Sequence, residues 1–190
     1  MKALEDKILA EGKVFPGGIL KVDGFLNHNI DSAFLKEIGK EIARLYKGCG
    51  VTKVLTIEAS GIAIAVAAGM EMGVPVLFAK KTKTLNIAST VYSTKVHSFT
   101  HQTDYDVIVS REYLSSDDTV LIVDDFLAAG NALSGLVDLV EQAGAALAGA
   151  AIAIEKAFQK GGDRLRASGV RVESLARIEK MTDTAIVFCK

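Results

Sequence analysis

The chain is poor in the residues that staple small domains or grip nucleic acid. It has two cysteines, two prolines and no tryptophan in 190 residues. Cys49 and Cys189 lie far apart and match no metal-ligand spacing, which argues against a zinc module and fits a reduced, cytoplasmic compartment. A dominant charge is also missing, because 22 basic residues face 23 acidic ones for a net charge of -1. That balance gives no electrostatic footprint for nucleic acid or for a membrane surface. No apolar run approaches the about 20 residues that a membrane helix requires. The opening stretch MKALEDKILAEG is charged and amphipathic, with no apolar signal core. No internal repeat or low-complexity linker interrupts the chain, and the one candidate boundary lies near Gly48–Gly50.

What is present is apolar and alternating. Hydrophobic residues make up 49 % of the chain, enough at this length for one domain with a sizeable core. The mean hydropathy of +0.29 fits a well-filled core or a buried subunit interface. Residues 2–11 read as a short helix stopped by Gly12, and Phe15-Pro-Gly-Gly as a turn. A weak strand signal covers Ile19–Phe25. Asp31 or Ser32 caps a helix reaching about Lys47, with Phe34, Leu35, Ile38, Ile42 and Leu45 on one face. Strands are expected at Lys53–Ile57, Pro75–Ala79, Thr119–Asp124, Ala148–Glu155 and Val170–Ala176. Helices are expected at Gly61–Met72, from Ala132 to about Gly144, and at Gly161–Ser168. The stretch 80–111 breaks the rhythm and reads as a hairpin or flap, with β-like runs at Thr90–Phe99 and Asp106–Ser110. This alternation argues for an α/β fold with a parallel sheet covered on both faces. Ligands in such sheets bind beyond the carboxyl ends of the strands.

The polar residues at those ends carry the chemistry. In TVLIVDDFLAAGN (119–131) a buried strand runs into Asp124 and Asp125, and a small-residue loop then feeds a helix. Acids directly after a buried strand are costly without partners, and in this setting they suit vicinal ribose hydroxyls and a divalent cation. The loop Ala128, Ala129, Gly130, Asn131, Ala132 lets backbone amides approach an anion at a helix N-terminus; in isolation it also reads as an ordinary turn. Glu58-Ala-Ser-Gly61 forms a second strand-to-helix nest, with Ser60 alternatively a plain helix cap. The run Lys80, Lys81, Thr82, Lys83 is either a solvated face or the cationic edge of a lid. Lys156, between Ile154 and Phe158, can aim a cation at a base carbonyl, and Phe158 can stack on a purine ring. His28, His97 and His101 form no triad or metal spacing and read as structural or peripheral.

The chain resembles the purine/pyrimidine phosphoribosyltransferase family. The acidic strand end with its loop carries the resemblance to the family. ILKVDGFLNHNID (19–31), TIEASGIA (56–63), IEKAF (154–158) and VESLARI (172–178) point to its xanthine branch. The resemblance implies a type I parallel-sheet core (about 36–190) with a flap hairpin and a small N-terminal hood (about 1–35), acting as a cytoplasmic homodimer. It implies a reaction between phosphoribosyl diphosphate (PRPP) and a 6-oxopurine, chiefly xanthine, with Mg²⁺ accompanying PRPP. Asp124 and Asp125 are then the catalytic acids facing the ribose, with no protein cage for the metal. Leu20, Asn27 and Lys156 contact the base, Ala128–Ala132 hold the 5'-phosphate, and Ser60, Gly61, Lys80 and Lys81 serve the diphosphate. The loop departs from the commoner family pattern, in which Thr or Ser precedes the glycine and Gly and Thr follow. Ala129, Asn131 and Ala132 occupy those positions, so hydroxyl contacts are lost and backbone contacts remain. A guanine- or hypoxanthine-preferring transferase and a PRPP-sensing regulator of the same fold stand as alternatives.

Overall fold

The computed structural model describes residues 1–82, 90–98, 103–182 and 185–189. The N-terminal hood consists of α1 (Lys2–Glu11), a two-stranded hairpin of β1 (Lys13–Phe15) and β2 (Ile19–Lys21), and one wide helical turn over Asp23–Asn27. The weak strand expected over Ile19–Phe25 is therefore only three residues long, because the chain coils from Asp23 onward to bury Phe25 and Leu26. Helix α2 (Ser32–Leu45) begins as the sequence predicts, with the Asp31 carboxylate accepting from the Phe34 amide at 3.0 Å.

The core then alternates β3 (Lys53–Ile57), α3 (Gly61–Met72) and β4 (Val76–Thr82). The flap hairpin of β5 (Val91–Ser98) and β6 (Thr103–Ser110) follows. The chain continues through β7 (Thr119–Leu127), α4 (Asn131–Gln142), β8 (Ala146–Lys156), α5 (Gly161–Ala167), β9 (Val172–Thr182) and β10 (Ala185–Phe188). One eight-stranded sheet results, in the order β10-β9-β8-β7-β3-β4-β6-β5. Strands β4, β3, β7, β8 and β9 are mutually parallel, while β10 and the flap strands pair antiparallel at the two sides.

Three strands run three or more residues past their expected carboxyl-terminal limits. β7 extends to Leu127 because β8 runs alongside it as far as Glu155. β9 extends to Thr182, and its far end folds back onto β10, an element with no signal in the sequence. β4 extends through Lys80–Thr82 by pairing with Asp106–Ile108 of the flap. The hairpin is thus an extension of the sheet that also lies against α4, where a Cβ at Gly135 would come within 2.6 Å of Val96 Cγ2. Lys83, Phe99 and His101 lie outside the described residues.

Pleat alternation sends the buried residues of each strand to two cores. Leu121 and Val123 join the hood, α2 and α3 in one core, whereas Val120 and Ile122 join α4 in the other. Hood residues Leu4, Ile8, Leu20, Val22, Phe25 and Leu26 share the first core with Leu175, Ala176 and Ile178 of β9. Helices α2 and α3 approach closely because Gly39 faces the Ala67 carbonyl, which a Cβ would meet at 2.6 Å.

Candidate active site

The strand order reverses between β3 and β7. From β3 the chain crosses over α3 to β4 on one side, and from β7 it crosses over α4 to β8 on the other. Such a switch point opens a crevice beyond the strand ends. β3 pairs with β7 only as far as Leu55↔Ile122. Asp124 and Asp125 come next along β7, where the strand has lost β3 and kept β8. Both helices that border the crevice, α3 and α4, start there.

The two acids stand differently. Asp124 is 6 % exposed. Its Oδ1 accepts from the Asp125 amide at 2.9 Å, and Gly61 passes so close that a Cβ there would lie 2.8 Å from that oxygen and overlap Thr56 Oγ1. Burial first, and then the adjacent Asp125 carboxylate, push the Asp124 pKa well up from the usual carboxylate range. Asp125 is half-buried on the hood side, where its Oδ2 accepts from Asn27 Nδ2 at 2.9 Å. Two buried polar atoms lack a partner among the described residues, Thr56 Oγ1 and Asn27 Oδ1. Both adjoin the acids, and a buried acceptor with no donor marks a place where a ligand group can bind.

A strand-to-helix loop lies on either side of the acids. Ser60 is helical in φ and ψ and its side chain caps nothing, so the plain-cap alternative does not hold and the hydroxyl is exposed. Gly61 is fully enclosed. In the second loop Gly130 has φ +89°, a conformation that favours glycine. Asn131 sends its side-chain amide to the His97 carbonyl at 3.1 Å, tying the loop to the flap. Lys80 and Lys81 are exposed on β4. The Lys81 amide donates to Glu58 Oε1 at 2.6 Å and its ammonium lies 5.4 Å from the Tyr105 ring centroid. Burial raises the Tyr105 pKa and the Asp124 charge adds to it, which places the flap tyrosine near the acids.

Lys156 ends β8 next to this edge. Its ammonium donates to the Gly18 carbonyl in the hood turn at 2.9 Å and lies 5.6 Å from the Phe126 ring centroid. Burial alone holds its pKa below the ordinary lysine value. The structure thus brings Asn27 and Lys156 to one side of the crevice. Leu20 is 6 % exposed and belongs mainly to the shared core. Phe158 is 39 % exposed just beyond.

Glu155 directly precedes Lys156 on β8. The structure turns it the other way, fully buried, where Arg166 donates to both carboxylate oxygens at 2.9 and 2.7 Å. Ser174 and Arg177 add further bonds at 2.5 and 3.1 Å. Burial opposes ionisation, but these hydrogen bonds and the two guanidinium charges outweigh it and hold the carboxyl at about 2. Helix α5, pinned by this cluster, touches the loop after β7 through Gly161 and Arg164, which donate to the Ala128 and Ala129 carbonyls. Neither contact had any signal in the sequence, because each is made to a backbone carbonyl far along the chain.

Residues 27–182 match the family model described as the phosphoribosyl transferase domain. The chain belongs to the phosphoribosyltransferase family, and its sheet, flap and hood form the type I fold. Within the family, it is 56 % identical over 188 residues to a xanthine phosphoribosyltransferase of Heliobacterium modesticaldum, covering 99 % of this chain and 100 % of that one. It is 53 % identical to a xanthine phosphoribosyltransferase of Bacillus cereus (strain AH187), covering 99 % and 95 %. Among solved structures, the APRTase of Giardia lamblia complexed with 9-deazaadenine superposes with a TM-score of 0.80 at 24 % identity, covering 93 % and 98 %. The adenine phosphoribosyltransferase of Rhodothermus marinus gives 0.75 at 20 % identity, covering 94 % and 100 %. These structural likenesses are likenesses of fold.

Proposed function

We propose that this chain transfers the 5-phosphoribosyl group of PRPP to xanthine, giving xanthosine 5'-monophosphate and diphosphate in purine salvage. It does so as a single domain, in a cytoplasmic homodimer. The observation that carries the reading is the placement of Lys156. Its desolvated ammonium already donates to a carbonyl, that of Gly18. It stands at the end of β8, the strand hydrogen-bonded to the Asp124–Asp125 strand. A purine 6-oxo group takes the place of the Gly18 carbonyl on that donor. Adenine, which presents an amino donor there, does not. The two relatives named as xanthine phosphoribosyltransferases support xanthine among the 6-oxopurines.

In the reaction the C1–O bond to diphosphate breaks, and diphosphate leaves with the electron pair. The lone pair of a purine nitrogen forms the new C1–N bond, and that nitrogen's proton passes to solvent. Positive charge develops on the ribose ring as the bond breaks. A carboxylate beside the ring stabilises that charge, and Asp125, which Asn27 holds until substrate arrives, takes this part. Asp124 and Asp125 receive the ribose hydroxyls, Asn27 and Lys156 the base, the 128–132 loop the 5'-phosphate, and Ser60–Gly61 with Lys80 and Lys81 the diphosphate. The hood and flap exclude water, which otherwise hydrolyses PRPP.

Mg²⁺ fits this donor set. It takes one or two carboxylates together with substrate phosphates and water, and the two acids supply such oxygens. No group of three His, Cys, Asp or Glu converges among the described residues, so the other ligands come from PRPP and water. When bound, the ion neutralises charge on the departing diphosphate.

The test is a spectrophotometric assay with PRPP and Mg²⁺ and each of xanthine, guanine, hypoxanthine and adenine. Turnover of xanthine well above the others is expected. Preference for guanine or hypoxanthine overturns the base assignment, and PRPP binding without turnover of any base overturns the enzyme reading.

A further inference from the structure

The 5'-phosphate loop lacks the hydroxyls that such a loop ordinarily offers, so its affinity must rest on how its backbone amides are held. Two successive carbonyls of the loop are bonded to α5. The Gly161 amide donates to the Ala128 carbonyl at 3.2 Å, and Arg164 Nη2 donates to the Ala129 carbonyl at 2.5 Å. Gly161 permits this approach, because a Cβ there would overlap the Ala128 oxygen and lie 2.6 Å from the Ala129 carbonyl carbon. The only cis peptide among the described residues is Glu58–Ala59, so both loop peptides are trans. In a trans peptide the N–H points opposite to the C=O. Binding the Ala128 and Ala129 carbonyls toward α5 therefore turns the Ala129 and Gly130 amides to the opposite side of the loop. Helix α5 has a fixed base for this hold, since Arg166 two residues on is locked to the buried Glu155.

We infer that Arg164 is a positioning residue for the phosphoribosyl substrate. It fixes the Ala129 peptide so that the loop amides meet the 5'-phosphate, and it sets a guanidinium charge directly behind a loop that has no side-chain hydroxyl. The inference rests on the assignment of this loop to the 5'-phosphate of PRPP. It also gives α5 a part in the site: the helix joins the strand end that carries Lys156 to the loop that holds the phosphate. Arg164 acts through the loop, so its loss weakens PRPP more than the base.

The experiment compares wild-type protein with Arg164→Ala and Arg164→Lys. Initial-rate kinetics are run against PRPP and xanthine separately, with calorimetric binding of Mg²⁺–PRPP and of ribose 5-phosphate, and thermal melts for all three. Arg164→Ala is expected to raise the KM for PRPP and the Kd of ribose 5-phosphate about tenfold, the effect of one charge-assisted hydrogen bond. The KM for xanthine stays within about twofold, and Arg164→Lys recovers most of the loss. Two results overturn the inference while leaving the function intact. One is wild-type-like PRPP kinetics in Arg164→Ala. The other is a parallel loss toward both substrates that follows a lowered Tm and is not recovered by lysine. If the wild-type protein binds neither PRPP nor ribose 5-phosphate, the proposed function fails first and the inference with it.

Discussion

Glu155→Gln removes the charge of the buried carboxylate that ties β8, α5 and β9 together. In the folded protein the carboxyl titrates at about 2, against an ordinary value of 4.5. That difference corresponds to roughly 3 kcal/mol of preference for the ionised form in the folded state. Glu155 is 1 % exposed and its partners Arg166 and Arg177 are 29 % and 38 % exposed. Solvent therefore screens the arginine end of the cluster and trims the figure to about 2–3 kcal/mol. The sign follows from a depressed folded-state pKa. The contribution is complete above about 4.5, declines as pH falls, and is gone below about 2. At pH 7, Glu155→Gln is expected to lower Tm by roughly 5–10 °C in a chain of this size. The gap from wild type narrows steadily between pH 4.5 and 2.5. Thermal melts at closely spaced pH values measure both effects. A gap of under about 2 °C at pH 7, or one that stays constant down to pH 2.5, would refute the assignment of this cluster as the clamp behind the ligand edge.

Three other outcomes are expected. Lys156→Ala removes the cation proposed to meet a purine 6-oxo group, and kcat/KM for xanthine should fall about a hundredfold; unchanged xanthine turnover refutes the role. Gly61→Ala drives a methyl group into Thr56 Oγ1 and to within 2.8 Å of Asp124 Oδ1. Activity should drop at least tenfold, seen in initial rates, and wild-type rates would show that the Gly61–Asp124 contact does not matter. Tyr46→Phe deletes a buried hydroxyl that donates to the Ala150 carbonyl at 2.8 Å. Urea unfolding should show a loss of about 1–2 kcal/mol with kinetics unchanged, and altered PRPP or xanthine kinetics would contradict its purely structural place.

The parts of the site written in contiguous residues were legible in the sequence. Asp124-Asp125 and the loop after them announce themselves because strand, acids, turn and helix follow one another within 13 residues. Lys53–Ile57 and Gly61–Met72 came out at their observed limits, since a buried run and a terminal glycine define each locally. Elements whose limits depend on a distant partner did not. β7 continues past its acids only because β8 accompanies it, and β4 continues through the lysines only because flap residues 106–108 pair with them. Glu155 and Lys156 looked alike in sequence, yet the pleat sends them to opposite faces, one into an arginine clamp and one toward the hood.

The same pleat accounts for how two adjacent acids do different work. Asp124 points to the side of Gly61 and the flap tyrosine, where burial raises its pKa. Asp125 points to the hood, where Asn27 holds it. On the proposed function, a ribose in the crevice between β3 and β7 would meet one acid from the flap side and one from the hood side. The hood gives Asp125 an amide donor and Lys156 a carbonyl acceptor, and on the proposed function substrate replaces both. Ribose hydroxyls and a 6-oxo group offer that same pairing of donor and acceptor. On that reading the hood keeps both half-buried charges satisfied before substrate arrives, and exchange of like for like hands them over without leaving either bare.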